Sequence, residues 1–351
     1  MASYKAVIIG LTGIGAQRAA ASTASSLYGS IPQSHAAAYH AHPQIDVVAV
    51  CDIRPEMLDK FRQVWQDVWP EMHYYTNYRA MLATEQPDLV SVITPDHLHA
   101  DITVDAANSG AKAIFCEKPL ATTLADADRM IAACEANNVL LSIDHTRRWY
   151  PAYHMARELL RSGELGPLRS LVTSLFSPRA MLFRNGAHLI DMLHFLAESD
   201  AQWVWAELEE GFEHFDRYRG DGGHNPASEP AASGYIHFAN GVRAFYESAK
   251  LAFPGAQFTL TCENGRIEMA DQELTIIRQG TDGNWLRTPV IPDKTKDAGL
   301  LAAVNELIDT LEQGGELISS GRSARKTVEV ILAMLRSHAQ GNRRVNLPLG
   351  E

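Results

Sequence analysis

One lysine in this 351-residue sequence stands where a side chain could do chemistry. Lys118 lies between Glu117 and Pro119, directly after the short apolar run 113–116, which is typical of a buried strand. Pro119 restricts the backbone and so limits the directions in which the lysine leaves the strand. The alternative is an ordinary surface charge, but this setting favours a lysine that acts as a proton acceptor.

Polar residues also follow a second apolar run, 89–93, which predicts another buried strand. In open α/β sheets, ligands bind beyond the carboxyl ends of the strands, so the residues leaving these two ends are candidates for cofactor contacts. The residues that we predict to make such contacts are Thr94, Pro95, His97, His99, Glu117 and Lys118.

A glycine-rich turn follows the first apolar run of the chain. Gly10 is placed to make a tight turn, and Gly15 to let a helix pack closely on the strand. The usual dinucleotide pattern has its middle glycine where this chain has Thr12, and Gly13 is displaced by one position. A strand before the turn and a helix after it would still favour a dinucleotide. The turn residues that we predict to contact the cofactor are Gly10, Thr12, Gly13, Ile14 and Gly15.

The next predicted strand ends at Asp52, where a carboxylate can accept hydrogen bonds from the adenosine ribose. That position favours NAD over NADP, although Arg54 leaves NADP open; the alternative is a turn residue before Pro55. Asp52 lies well beyond the ~20 residues that the motif expects after its glycines. The surplus falls in residues 21–34, which we interpret as an inserted loop before a helix at 35–41.

These residues must be positioned by alternating strands and helices. Such alternation predicts a doubly wound parallel sheet over residues 1–145, an NAD-binding Rossmann domain. From 146 to 351, strand-like runs joined by Asn-Gly turns predict an α+β domain with a mostly antiparallel sheet. The predicted strands are 6–9, 47–50, 89–93, 113–116, 139–143, 168–176, 203–208, 234–238, 242–248, 257–262 and 266–269. The predicted helices are 13–21, 35–41, 55–69, 78–83, 99–109, 124–137, 152–161, 187–197, 300–313 and 322–340.

Composition excludes several functional classes. The formal net charge of -11 argues against a nucleic-acid surface, which needs a basic field. No apolar run approaches the ~18 residues of a membrane span. The four cysteines have no paired spacing, so reduced, buried thiols in a cytoplasmic protein are expected.

Taken together, the motifs carry a family resemblance. The glycine turn, Cys51-Asp52, the segment 94–99 and Glu117-Lys118-Pro119 are followed by matching segments at 147–149, 186–191 and 345–349. With these pieces, the chain resembles the Gfo/Idh/MocA family of glucose–fructose oxidoreductases and inositol dehydrogenases. The resemblance implies a Rossmann domain, an open sheet domain that forms homodimers or homotetramers, and oxidation or reduction of one carbinol of a sugar, cyclitol or glycoside.

The same resemblance assigns roles to individual residues. Lys118 would bind the reacting hydroxyl and His188 would accept its proton, although which of the two is the final base stays open. Asp191, on the same helix face as His188, would hold a substrate hydroxyl or orient the histidine. Many members carry an aspartate four residues before this histidine, where this chain has Arg184. We therefore expect a different substrate contact there, including an anionic one.

Further candidates lie at the predicted domain junction. Arg147 and Arg148 would contact substrate or form structural ion pairs, and Trp149 would stack on a sugar or pack as a hinge residue. His188, Asp191 and His194 share a helix, but no second ligand cluster accompanies them and no metal is predicted. We interpret His194 as facing the domain interior, and the histidines 35, 40 and 42 as surface or loop residues.

These observations lead to one principal hypothesis, an NAD-dependent dehydrogenase acting on a sugar or polyol. An oxidised nicotinamide would place positive charge beside Lys118 and make it a better proton acceptor. The alternative is a regulatory protein that binds dinucleotide without turnover. A third hypothesis is an enzyme whose tightly held cofactor recycles between two sugars or assists glycoside cleavage.

Overall fold

The computed structural model describes residues 4–18, 32–218, 225–252, 255–292 and 297–350. The chain divides into two compact units: Met1–Trp149 with Lys294–Arg325, and Tyr150–Asp293 with Lys326–Glu351. The sequence predicted two continuous domains, 1–145 and 146–351, and this prediction is wrong for the segment 294–325. The helix Leu300–Gln313 in that segment buries Val304 and Leu307 in the core of the first unit, which explains why it belongs there.

The first unit contains, among its described residues, a parallel sheet of six strands in the order β3-β2-β1-β4-β5-β6. The chain runs outward from β1 to β3, then resumes at β4 on the other side of β1, and ligands bind at such a reversal in doubly wound sheets. The strands are β1 Tyr4–Ile9, β2 Ile45–Cys51, β3 His73–Tyr75, β4 Leu89–Val92, β5 Ala113–Cys116 and β6 Leu140–Ile143. The helices are α1 His35–Ala41, α2 Pro55–Trp65, α3 Tyr78–Glu85, α4 His99–Asn108 and α5 Leu124–Ala136.

The start of the first crossover differs from the prediction. A helix was expected over 13–21, but a single 3-10 turn, Gly13–Gly15, is followed by non-helical residues to 18, and residues 19–21 lie outside the described part of the chain. Gly13 has φ +44°, which lies outside the range of an α-helix. Among the described residues, the first α-helix begins at 35, as predicted, where the Ser34 hydroxyl accepts a hydrogen bond of 3.1 Å from the Ala37 amide.

The second unit is built on a sheet of nine strands among the residues described, in the order β14-β13-β12-β11-β7-β10-β9-β8-β15. All neighbouring strands are antiparallel except β7 and β10. The strands are β7 Leu168–Phe176, β8 Ala201–Leu208, β9 Ala232–Phe238, β10 Arg243–Ala249, β11 Gly255–Cys262, β12 Arg266–Met269, β13 Leu274–Gln279, β14 Trp285–Val290 and β15 Val345–Asn346. The helices of this unit are α6 Pro151–Arg161 and α7 Ala187–Ala197. The helix α8 Leu300–Gln313 belongs to the first unit, and the boundary between the units, at 325 and 326, falls within α9 Gly321–Ala339.

This nine-stranded sheet has one buried and one open face. Along β7, β8 and β10, Leu171, Val204 and Ala244 are buried, whereas their neighbours Val172, Trp205 and Phe245 are 41–43% exposed. Such alternation is typical of a sheet packed on one side only. The predicted architecture, a Rossmann domain plus an open and mostly antiparallel sheet, is confirmed.

The prediction of four buried thiols is also confirmed. All four cysteines are free and buried. The helices seen in the described ranges include none that is both long and apolar enough to span a bilayer.

Candidate active site

The glycine turn after β1 needs two of its glycines for close backbone contact. Gly10 has φ +97°, and a Cβ there would lie 2.3 Å from the carbonyl oxygen of Ile93, just beyond β4. A Cβ on Gly15 would lie 2.5 Å from the carbonyl oxygen of Gly10. The turn therefore closes on itself and on the end of the neighbouring strand, which only glycine permits.

The other turn residues face open space. Thr12 and Gly13 are exposed, Ile14 is 37% exposed, and a Cβ on Gly13 would meet nothing within 4 Å. Thr94 follows the adjacent strand β4. Its hydroxyl oxygen is buried and has no hydrogen-bond partner among the described residues. An accessible glycine backbone and an unused hydroxyl fit the predicted dinucleotide.

Asp52 connects the end of β2 to this turn. Its buried carboxylate accepts hydrogen bonds from the Leu11 amide at 3.1 Å and from the Arg54 amide at 3.0 Å. The half-exposed Arg54 guanidinium also lies against it, with Nε 3.2 Å from Oδ1. Asp52 thus shapes the turn. It also stands where a ribose could reach it, provided that a ribose hydroxyl replaces the Arg54 guanidinium.

The two polar segments after β4 and β5 are joined by His99. Its imidazole is fully buried, with Nδ1 2.9 Å from the carbonyl oxygen of Pro119 and Nε2 2.9 Å from that of Thr94. Both ring nitrogens are therefore occupied by the protein. The predicted cofactor contact by His99 is not what the structure supports; the ring instead holds the two loops together. Pro95 and His97 are exposed at the same strand end, where a ligand can reach them.

Glu117 and Lys118 are buried where the chain leaves β5, with Lys118 only 6% exposed. The Glu117 carboxylate has polar neighbours. It accepts a hydrogen bond from the Lys118 amide at 3.3 Å, and its Oε1 lies 3.5 Å from His35 Nε2. Asp144, at the end of the adjacent strand β6, lies in the same group: one polar side-chain atom from each of His35, Glu117 and Asp144 lies within 4.8 Å of the other two. Lys118 is therefore the chain neighbour of a buried group of two carboxyls and one imidazole.

The pKa values of these two carboxyls move in opposite directions. Burial alone would raise the pKa of Glu117, but the hydrogen bond and charge of His35 and the charge of Lys118 lower it to about 2. Burial raises the pKa of Asp144 well above its ordinary value, and the Glu117 charge raises it further. The shifts favour the ionised form of Glu117 and the protonated form of Asp144.

His35 and Asp144 were not identified from the sequence as members of this site. His35 was interpreted as a surface or loop residue, which is wrong, since it is fully buried at the start of α1. A signal for Asp144 was present: Cys116 and Ile143 are register partners in β5 and β6, so Glu117 and Asp144 are the next residues on adjacent parallel strands. Strand prediction alone gave no register from which to draw that pairing.

The second unit holds the other predicted catalytic residue. His188 is half-buried in the first turn of α7, and Arg184 is half-buried in the preceding π-helix Leu182–Gly186. Asp191 is fully buried and accepts a hydrogen bond of 3.1 Å from the Thr327 hydroxyl of α9. That burial favours the orienting role for Asp191 over a contact with a substrate hydroxyl. His194 faces the interior as predicted, edge-on to Phe238.

Two of the three junction residues have structural partners in the first unit. Arg148 is 4% exposed and donates hydrogen bonds to the Ile318 carbonyl and, at 3.1 Å, to the Ser323 hydroxyl. Trp149 belongs to the hydrophobic core and donates to Glu306 at 2.9 Å. Substrate contact by either residue is therefore not supported, and the structural alternative holds. Arg147 is half-buried and stays a prediction.

Comparisons with known proteins agree with this architecture. A family model described as "Oxidoreductase family, NAD-binding Rossmann fold" (GFO_IDH_MocA) matches residues 27–145. A second model, "GFO/IDH/MocA C-terminal domain", matches residues 153–268. The two models cover parts of both units.

Individual relatives are more distant. A D-apiose dehydrogenase of Paraburkholderia graminis is 28% identical over 332 residues, which cover 89% of this chain and 86% of the relative. An inositol 2-dehydrogenase of Salmonella typhimurium is 32% identical over 174 residues, 46% of this chain and 49% of the relative. The structure of a levoglucosan dehydrogenase in complex with NADH and L-sorbose has a TM-score of 0.80 at 18% identity and covers 100% of both chains. At that identity, the last likeness concerns the fold alone.

Proposed function

Because the chain belongs to the GFO/IDH/MocA family of NAD-binding oxidoreductases, we propose that it is an NAD-dependent dehydrogenase of a sugar, cyclitol or glycoside. The observation that carries the proposal is the burial of Lys118 at the carboxyl end of β5, next to the buried carboxyl of Glu117. The carboxyl ends of the strands are where ligands bind in doubly wound sheets, and an amine there can bind a carbinol oxygen or exchange its proton.

The cofactor would be held by the residues around the strand reversal. The exposed backbone of Thr12 and Gly13 would approach the pyrophosphate, the Thr94 hydroxyl would take up a hydrogen bond, and Asp52 would accept from the adenosine ribose. When bound, NAD supplies the hydride acceptor or donor. The carboxylate at 52 favours NAD, while the exposed Arg54 is placed to meet a 2′-phosphate if it leaves Asp52.

Lys118 and His188 would handle the proton of the reacting carbinol. Lys118 would bind the hydroxyl oxygen through its ammonium group or take its proton as a neutral amine, and His188 would act as the proton acceptor in the first case. Asp191, held by Thr327, would keep the α7 segment that carries His188 in place. Arg184 would provide a positive charge to a polar or anionic substituent of the substrate.

We also propose that the enzyme is a homodimer or homotetramer formed through the open face of the nine-stranded sheet. A cross-strand row of side chains, called here the open-face row, runs from Trp205 through Tyr235 and Phe245 to Val172, each paired in register with the next. Exposed apolar patches of this kind mark interaction sites, and a second copy of the same face would cover the row. The buried free thiols support a cytoplasmic location.

The test is turnover of a panel of cyclitols, hexoses and glycosides with NAD⁺, measured by the absorbance of NADH. The proposal predicts turnover of at least one of them. Binding of NAD without turnover on any substrate would favour the regulatory alternative, and absence of NAD binding would contradict both.

A further inference from the structure

Glu117 and Asp144 are adjacent buried carboxyls at the end of the six-stranded sheet. They follow the register partners Cys116 and Ile143, so the parallel strands β5 and β6 deliver them side by side. Glu117 is 8% exposed and Asp144 is 1% exposed. Two ionised carboxylates in such a place would repel each other strongly, because little water separates them. The pair can therefore hold one proton at low cost.

The surroundings decide which carboxyl holds that proton. Glu117 is the carboxyl next to the basic groups: its Oε1 lies 3.5 Å from His35 Nε2, and the charge of Lys118 lowers its pKa. Oδ1 of Asp144 accepts a hydrogen bond of 2.7 Å from the Thr146 hydroxyl. The other oxygen, Oδ2, is buried and has no hydrogen-bond partner among the described residues. A proton on Oδ2 would give that oxygen a hydrogen bond to donate toward Glu117.

The histidine is held in a fixed orientation from the other side. The Tyr39 hydroxyl lies 2.6 Å from the Ser91 hydroxyl, which lies 2.9 Å from His35 Nδ1. Ser91 thereby fixes the ring so that Nε2 faces Glu117, and a proton on Nε2 would be donated toward that carboxylate. Burial raises the pKa of Tyr39, so this phenol keeps its proton.

We infer that Asp144 is a positioning residue for Lys118: it carries the single proton of the carboxyl pair, so that Glu117 remains an anion between His35 and Lys118. The effect of this arrangement on catalysis rests on the proposed function, whereas the location of the proton does not. The pKa shifts described above, down for Glu117 and up for Asp144, agree with the arrangement.

The titratable groups around Asp144 come from three packed segments. They are His35 of α1, Glu117 and Lys118 after β5, and His145 directly after Asp144. As the pH rises and Asp144 loses its proton, a second negative charge forms beside Lys118. That charge would help Lys118 to keep its own proton.

The direct test is infrared spectroscopy of the protein without substrate or cofactor at neutral pH. The inference predicts the C=O stretching band of a protonated carboxylic acid, which shifts on ¹³C labelling of aspartate and disappears in Asp144→Asn. The amide of that variant keeps the shape and can still donate to Glu117. Asp46→Asn, at an exposed position of β2, is the matched control and should retain the band. Absence of an aspartate-derived band in the wild type would overturn the inference, whether or not any variant folds.

A second readout links the proton to Lys118. In the pH dependence of turnover, the limb that Lys118→Gln abolishes should move down by about one pH unit in Asp144→Asn and stay in place in Asp46→Asn. An unmoved limb would overturn the positioning role. Because the infrared result needs no turnover, it stands even if no substrate in the panel reacts.

Discussion

The carboxylate of Asp52 accepts a hydrogen bond of 3.1 Å from the backbone amide of Leu11, which joins the end of β2 to the glycine turn after β1. One side chain thus both shapes the turn and stands where the adenosine ribose is expected. The same carboxylate lies against Arg54, the residue that leaves NADP open as a cofactor. The structure therefore connects cofactor choice to the shape of the turn.

Replacing Arg54 separates these two roles. Arg54→Ala leaves both backbone hydrogen bonds to Asp52 intact and removes only the guanidinium from the carboxylate, which makes room for a ribose hydroxyl. We expect unchanged or tighter NAD binding and about tenfold weaker NADP binding, because one charged contact is worth roughly 1.5–3 kcal/mol. Titration calorimetry with both dinucleotides measures this. Asp52→Ala should weaken NAD binding and destabilise the turn together; equal affinities in all three proteins would contradict the assignment.

The glycine turn gives a stability prediction. Gly10→Ala places a methyl 2.3 Å from the Ile93 carbonyl at φ +97°, so we expect a loss on the order of 3 kcal/mol or more in the free energy of unfolding. Gly13→Ala is the matched control: its φ is +44° but its surroundings are open, and a loss of about 1 kcal/mol is expected. Urea unfolding measures both. Equal losses would show that the contact with Ile93 is not limiting.

Glu117 gives a pH dependence with a definite sign. Its pKa falls from the ordinary 4.5 to about 2 in the folded protein, so its contribution to stability is complete above about pH 4.5 and is lost as the pH falls toward 2. Glu117→Gln lacks this contribution. The difference in unfolding free energy between wild type and variant should therefore shrink between pH 4.5 and 2. A difference that stays constant over that range would contradict the depressed pKa.

The sequence predicted more of the strands than of the contacts between them. Five strands of the parallel sheet and most helices were placed within a few residues, because buried β-branched runs and amphipathic helices leave periodic patterns. The short β3 and the strands β13 to β15 were missed. Of these, β14 is exposed along nearly its whole length and leaves no apolar pattern to read.

Single residues were harder to assign where a long-range contact decides their role. Lys118 and Glu117 were identified because their neighbours in the chain are informative. His35 was not, since its burial beside Glu117 and Ser91 depends on how α1 packs on the sheet. His99 was assigned to the cofactor, and for Arg148 and Trp149 the choice between substrate and a structural role stayed open. Each is engaged by a partner distant in sequence. Segment 294–325 was placed in the wrong unit for the same reason.

The open-face row predicts the oligomeric state. Phe245→Lys introduces a charge at the centre of the row, where Phe245 is 43% exposed and packs edge-on against Tyr235 at 5.1 Å. Burying an unpaired lysine in a subunit interface should weaken association at least tenfold, as expected for a central apolar contact. Trp285→Lys, on the same sheet but outside the row, is the control and should leave association unchanged. Sedimentation velocity measures both, and a stable oligomer of the Phe245 variant would contradict the interface.

The most direct measurement of the central claim compares Lys118→Gln with Lys60→Gln in the rate of NADH formation on the best substrate of the panel. Lys60 is an exposed residue of α2 and serves as the control. If Lys118 acts on the reacting hydroxyl, its variant should lose about 10²-fold or more in kcat, while Lys60→Gln should match the wild type. Wild-type turnover by Lys118→Gln would contradict the account.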